Sequence, residues 1–156
     1  MKFVILAVVV AMIIFFFVRS SNNKKLAAEN VEIGIQFLAD NKGNEGVLET
    51  PSGLQYQIMH KGDGDTHPSA SSMVKVHYHG LLLDGSVFDS SVERGSPINF
   101  SLNQVIKGWT EGVQLMVVGD KFKFFIPSEL AYGDKSAGDI APGSLLIFEV
   151  ELLEIK

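Results

Sequence analysis

The fold class predicted by the sequence is α+β: a twisted antiparallel sheet of about five strands wrapped on one short helix, preceded by an N-terminal transmembrane or signal helix. Three observations predict it. Segments in which apolar and polar residues alternate recur through the last two thirds of the chain, the signature of strands with one buried face. A single stretch between them, Asn103 to Met116, switches to helical spacing, so the pattern is not the βαβ alternation of a parallel sheet. Phe3 to Val18 is an unbroken apolar run between Lys2 and Arg19.

That run comes first. Sixteen helical residues rise about 24 Å, just enough for a ~30 Å hydrocarbon core if the basic flanks snorkel. Residues 1–19 are therefore a signal anchor or a signal peptide, and Val18-Arg19-Ser20 makes a poor cleavage site. Residues 20–51 are expected to be a helical spacer and linker. Leu26, Ile33 and Phe37 fall at helical spacing between Lys24 and Lys42, Gly43 suits the stop, and Gly34 weakens the helix enough to favour a spacer packed on its own domain. Asn44 to Ser52, with Gly46 and Pro51, reads as linker.

The domain of residues 52–156 follows. Leu54, Tyr56 and Ile58 alternate with Gln55 and Gln57, giving a first strand. His60 to Ser72, rich in Gly, Asp and Ser, is a surface loop. In Val74 to Ser91 the apolar Val74, Val76 and Tyr78 oppose Lys75, His77 and His79. Asp84-Gly85 then supplies a tight hairpin turn that returns the chain through Val87, Phe88 and Asp89. Ile98 and Phe100 begin another strand. Val105, Trp109, Gly112, Val113 and Met116 mark the helix, which ends at Gly119-Asp120. Phe122, Phe124 and Ile126, then Leu146, Phe148, Val150 and Leu152, complete the alternating segments. The loop from Ala131 to Ser144, with Tyr132 and Pro142, is long enough to carry binding groups on a rigid frame.

Composition removes several function classes. A net charge of −5 and no dense run among 13 Lys and Arg argue against a nucleic-acid partner. Without cysteine there are no disulfides, thiolate chemistry or cysteine zinc sites. His77 and His79 share a strand face but lack a third ligand, so no metal is expected. Ser90 and Ser91 lack a nucleophile elbow, and no glycine-rich loop opens a helix with the Lys-Ser/Thr of a phosphate site. What remains is aromatic: Tyr78, Phe88, Trp109, Tyr132 and Phe148, joined by Val105, Ile106 and Ile140. Core packing explains such residues by default. Trp109, followed by the polar Thr110-Glu111, could instead floor a pocket.

VHYHGLLLDGSVFDSS, VIKGWTEGVQLM, VGDKFKFFIPSELAYG and LLIFEVELL, in this order, closely resemble the FKBP-type peptidyl-prolyl cis-trans isomerases over residues 52–156. GVLETPSGLQY looks more like the bacterial secreted members related to macrophage infectivity potentiator. The resemblance implies an FKBP-like fold and an isomerase acting on X-Pro bonds; the rival reading is a membrane-tethered peptide-binding chaperone module without isomerase activity. It implies Tyr78, Phe88, Asp89, Trp109 and Tyr132 as catalytic residues and Arg94, Ile98, Val105, Ile106, Ile140 and Phe148 as substrate-binding ones. Trp109 would lie under the proline ring, and the Ile106 amide and Tyr132 hydroxyl would hold substrate carbonyls. Ile98 stands where relatives often carry an aromatic, and the loop after Tyr132 is a residue short, with Ala141-Pro142 where two prolines are common. No cofactor or metal is implied. The expected partners are proline-containing polypeptides, immunosuppressant macrolides and the membrane through residues 3–18. The expected location is the bacterial inner membrane with the domain facing the periplasm, although the positive charges of Arg19, Lys24 and Lys25 against Lys2 alone would keep it in the cytoplasm. With only about 25 residues between anchor and linker, a monomer is expected.

Overall fold

The computed structural model describes residues 2–156, with side chains from Ile5 onward. The apolar run and the spacer form one uninterrupted helix, α1 (Lys2–Asn41), about 60 Å long at 1.5 Å per residue. No break in the helix accompanies the boundary expected near residue 20, because nothing in Ser20 to Asn23 breaks a helix already nucleated on both sides. From Ile5 onward α1 is long and apolar enough to cross a membrane, and none of its most apolar 18-residue window is buried in the molecule.

The C-terminal half of α1 packs on the domain, but not by the stripe expected. Leu26 and Ile33 are exposed, whereas Ala27, Gly34 and Asn41 are buried and Phe37 is half-buried. The approach is too close for large side chains. A Cβ on Gly143 would lie 2.2 Å from the Ala27 carbonyl oxygen, and one on Gly34 would lie 3.3 Å from Leu145 Cβ. Polar bonds fix the seam: Asn30 Nδ2 donates to the Pro142 carbonyl at 2.8 Å, and Asn41 Nδ2 to Gln55 Oε1 at 2.9 Å. Gln55, expected on a solvated face, is fully buried and also donates to the Leu38 carbonyl.

Seven antiparallel strands form the sheet, against the five or so expected: β1 (Val47–Glu49), β2 (Gln55–His60), β3 (Met73–Leu81), β4 (Val87–Ser90), β5 (Ile98–Ser101), β6 (Lys121–Ile126) and β7 (Leu146–Ile155). Their order is β1-β2-β6-β7-β3-β4, with β5 also pairing β3. Strand β1 lies within the segment expected to be linker. Leu48 faces Tyr56 in register, so the linker is a short edge strand. His60, expected in the loop, closes β2 opposite Lys121 beyond a register shift. The loop that follows is pinned where the Gly62 amide donates to Asp120 Oδ1 at 2.8 Å.

The expected helix Asn103–Met116 is shorter: a 3-10 turn (Leu102–Gln104), an extended step at Val105 and Ile106, then an α-helix (Lys107–Val113). Two short helices therefore follow α1, namely α2 (Ser91–Arg94) and α3 (Lys107–Val113). Glycine explains both the brevity of α3 and its position. A Cβ on Gly108 would meet Ile126 Cγ2 at 2.5 Å, and one on Gly112 would meet Phe124 Cε1 at 2.6 Å. Their helix propensity, about 1 kcal/mol worse than alanine at each position, is exchanged for direct contact with the sheet. The core lies between them, where Val74, Val76, Phe124, Ile126, Leu146, Val150 and Leu152 meet Val113 and Met116. The C-terminal end of β6 is buried on both faces because Phe125 turns outward under α1, 5.9 Å from Phe37 ring to ring.

Candidate functional site

Where α3 begins, the sheet and the helix part to leave a cavity of about 440 Å³. Trp109, in the first turn of α3, lines it and is 4% exposed. The rings of Tyr78, Phe100 and Phe148 stand near perpendicular to the indole at ring-centre distances of 5.4, 5.3 and 5.3 Å. Such edge-to-face pairs contribute roughly 0.5–1.5 kcal/mol each beyond their area and hold the rings at fixed angles. Phe88 closes the side, perpendicular to Phe148 at 5.3 Å. That contact requires Gly80 in the middle of β3, since a Cβ there would sit 2.7 Å from Phe88 Cζ and 3.0 Å from Phe148 Cε1. Val105 and Ile106 form the lip opposite Tyr132, which is 43% exposed. The Ile106 amide forms no hydrogen bond among the described residues, and the buried Trp109 Nε1 has no partner among them.

One charged group enters this wall. Asp89 accepts hydrogen bonds from the Tyr78 hydroxyl and from Arg94 Nη1, and Arg94 Nη2 donates to the Tyr78 hydroxyl at 3.0 Å. Desolvation alone would push the Asp89 carboxyl up, but the bonds from Tyr78 and Arg94 and the guanidinium charge together hold it below the usual carboxylate range. Tyr78 is pushed up, first by burial and then by its bond to the carboxylate. The triad is thus an ionised carboxylate, a neutral phenol and a guanidinium at neutral pH. Arg94 is supplied by α2, whose first turn is capped where Ser90 Oγ accepts from the Glu93 amide at 3.2 Å. His79 Nδ1 shares a hydrogen bond with the same Ser90 hydroxyl, and His77 Nδ1 with Ser91 Oγ. Both imidazoles therefore brace α2, and among the described residues no group of three or more His, Asp or Glu is placed to hold a metal.

Eight of the eleven residues singled out by sequence meet at this cavity: Tyr78, Phe88, Asp89, Val105, Ile106, Trp109, Tyr132 and Phe148. Three do not line it. Arg94 reaches it only through Asp89 and Tyr78. Ile140 is turned beneath the loop by paired backbone bonds with Ala137 and is 5% exposed. Ile98 stands opposite Val76 in β5 and packs on the core. Phe100 and Gln104 line the cavity instead. Phe100 was within reach of the strand period, sharing a face with Ile98 two residues on; Gln104 carries no sequence signal. A groove of about 480 Å³ also lies between α1 and the domain, but its charged pair, Lys42 and Glu49, is already bonded at 2.6 Å.

The loop bearing Tyr132 is not free. The Gly143 amide donates to the Gly133 carbonyl and the Gly133 amide to the Ser128 carbonyl, both at 2.8 Å. With Asn30 on Pro142, α1 buttresses the far side of the loop that forms the cavity lip. Glu111, on α3, accepts from Thr50 and Ser52 at 2.5 and 2.6 Å and so ties the β1–β2 turn to the helix under Trp109.

Residues 64–153 match the family model described as FKBP-type peptidyl-prolyl cis-trans isomerase, and residues 10–58 match the domain described as amino terminal to it. The chain is 58% identical over 132 residues to the FKBP-type peptidyl-prolyl cis-trans isomerase FkpA of Aeromonas hydrophila, covering 85% of this chain and 49% of that one. It is 52% identical over 123 residues to the FKBP-type 22 kDa peptidyl-prolyl cis-trans isomerase of Escherichia coli, covering 78% of this chain and 59% of that one. It thus spans about half the length of these relatives. Among solved structures, FkpA from Escherichia coli superposes with a TM-score of 0.85 at 39% identity, over 95% of this chain and 71% of that one.

Proposed function

Because the chain belongs to the FKBP-type peptidyl-prolyl cis-trans isomerase family, we propose that residues 52–156 accelerate rotation about X-Pro bonds in other polypeptides and that the cavity on Trp109 is where they do so. The observation that carries this reading is a ring-walled recess whose single charge is locked into its wall by Tyr78 and Arg94.

Rotation about an X-Pro bond breaks amide resonance, a barrier of roughly 18–20 kcal/mol that leaves the uncatalysed reaction on a scale of tens of seconds. No bond to carbon is made or broken, so no nucleophile is required. Water stabilises the planar, charge-separated amide through its oxygen. A proline seated on Trp109 between Phe88 and Phe148 loses that water, which favours the twisted form with its less polar carbonyl. The free Ile106 amide and the Tyr132 side chain at the lip would hold the flanking carbonyls, turning binding energy into orientation. Asp89 holds Tyr78 and Arg94 in register with the wall. A cavity of this size and lining also suits the macrolides implied by the sequence resemblance. Residues 3–18 would tether the domain to the bacterial inner membrane, with the periplasm as the expected side.

Two-dimensional exchange NMR on a prolyl tetrapeptide with the full chain in detergent tests the reading. Cis–trans exchange should accelerate well beyond the spontaneous rate; peptide that binds without faster exchange would make the domain a holding module instead. In Asp89→Asn, kcat/KM should fall about tenfold, equivalent to ~1.4 kcal/mol of transition-state binding. Since the folded carboxyl titrates below its unfolded range of about 3.9, its contribution to stability is complete above that range and is lost as pH falls through the folded value. Thermal melts of wild type and Asp89→Asn should accordingly differ at neutral pH and converge in strong acid.

A further inference from the structure

The face of α1 that packs on the domain continues toward the apolar run beyond the domain's edge. Phe16, Arg19, Asn23 and Lys24 follow the helical spacing that leads on to Ala27, Asn30 and Gly34. Against this part of the helix stands the turn of the cavity loop at Asp134 and Lys135, leaving a groove of about 430 Å³. Three of its residues are cations and one, Asp134, is an acid, so the groove carries a formal surplus of two positive charges on a chain whose net charge is −5. Arg19, Lys24 and Lys135 are all exposed, and none forms an ion pair among the described residues. Lys25, by contrast, turns away and pairs with Glu29 at 3.9 Å.

Unpaired cations converging on one groove would repel one another without an anion between them. The location selects the anion. Phe16 lines the groove and belongs to the apolar run, so if residues 3–18 lie in a bilayer the groove opens at the level of the phospholipid headgroups. We propose that Arg19, Lys24 and Lys135 bind the phosphates of anionic phospholipids and so hold the cavity loop on the membrane surface. The Lys135 amide donates to the Tyr132 carbonyl at 3.2 Å, so the lipid contact is three residues from the lip of the cavity. The enzyme then works on prolyl segments close to the bilayer. This inference rests on the membrane anchor of the preceding section.

The chain has no cysteine, so Ser136→Cys, in the exposed loop tip, gives a single labelling position. Full-length chain carrying a fluorophore there is reconstituted in vesicles of phosphatidylcholine alone or with phosphatidylglycerol, each with a headgroup-depth quencher lipid. Quenching should be strong only with phosphatidylglycerol and should weaken as salt is raised. In Lys135→Glu the docked-to-free ratio should fall at least about fivefold, the effect of losing one basic residue near an anionic surface. That variant should keep its exchange rate on a soluble tetrapeptide, because Lys135 is outside the cavity wall. Equal quenching in both vesicle types, or no change in Lys135→Glu, overturns the proposal. So does an equal response of the label to inorganic phosphate in detergent, which would make the groove a site for free phosphate. Alkaline carbonate extraction separates the two readings: protein released from the vesicles means the anchor itself fails, whereas protein retained with an indifferent label means that only the headgroup site fails.

Discussion

Trp109→Leu is expected to lower kcat/KM for a prolyl peptide ten- to a hundredfold while leaving the domain folded. The indole is the surface on which the proline ring is proposed to rest, and it packs near perpendicular to the rings of Tyr78, Phe100 and Phe148 at 5.3–5.4 Å. Leucine fills part of the volume but offers neither a flat face nor partners for three edge contacts. A proline seated less firmly also gives up less of its water, and each ~1.4 kcal/mol of lost transition-state binding is tenfold in rate. The loss should fall on kcat as well as KM, since orientation and not only capture is removed. Trp109→Phe, which restores a ring, should recover part of the rate. Trp109 is the chain's single tryptophan, so peptide binding to the parent protein can be read directly from its fluorescence. A folded Trp109→Leu that turns over normally would move the chemistry to another site.

Gly143→Ala should be the most disruptive single methyl group on the seam between α1 and the domain. Gly143 has φ 74°, a left-handed conformation that side chains adopt only under strain. The added Cβ would also lie 2.2 Å from the Ala27 carbonyl oxygen, and that atom belongs to helix backbone and cannot rotate aside. Strain of about 1–3 kcal/mol and overpacking of about 1–3 kcal/mol together favour release of α1 from the loop over unfolding of the domain. Hydrogen exchange should therefore quicken at residues 27–41 and 131–145 while the β3 and β7 amides stay protected. Peptide exchange rates should fall with the loosened lip at Tyr132. If both segments keep wild-type protection, the seam is softer than its geometry states.

How much of this was legible in the chain depends on the range of the forces involved. Alternation in Val74-Val76-Tyr78 and in Phe122-Phe124-Ile126 placed buried faces correctly, because a strand's period of two is a property of the local backbone. The hairpin at Asp84-Gly85 was legible for the same reason; Gly85 has φ 84°, and the Asp84 carboxylate accepts from the Ser86 amide. Helical spacing placed Trp109 and Val113 together but overran α3, since hydrophobic period cannot register that Val105 and Ile106 are extended. On α1 the same reasoning chose Leu26 and Ile33, the larger residues, where the true contact is made by Ala27, Asn30 and Gly34.

By itself, the sequence determined the strands other than β1, the apolar helix and the rings Tyr78, Phe88, Trp109, Tyr132 and Phe148 that meet at the cavity, because these follow from side-chain period and from motif. Only the tertiary structure decided that the apolar run and the spacer are one helix, that Val47–Glu49 is a sheet edge, that Phe100 and Gln104 rather than Ile98 and Ile140 line the cavity, and that α1 holds the loop beside it. The last of those depends on how closely two segments approach, at Gly34 on Leu145 and Gly143 on Ala27. A glycine announces that close approach is permitted. Which distant segment arrives there is settled by the packing of the whole chain.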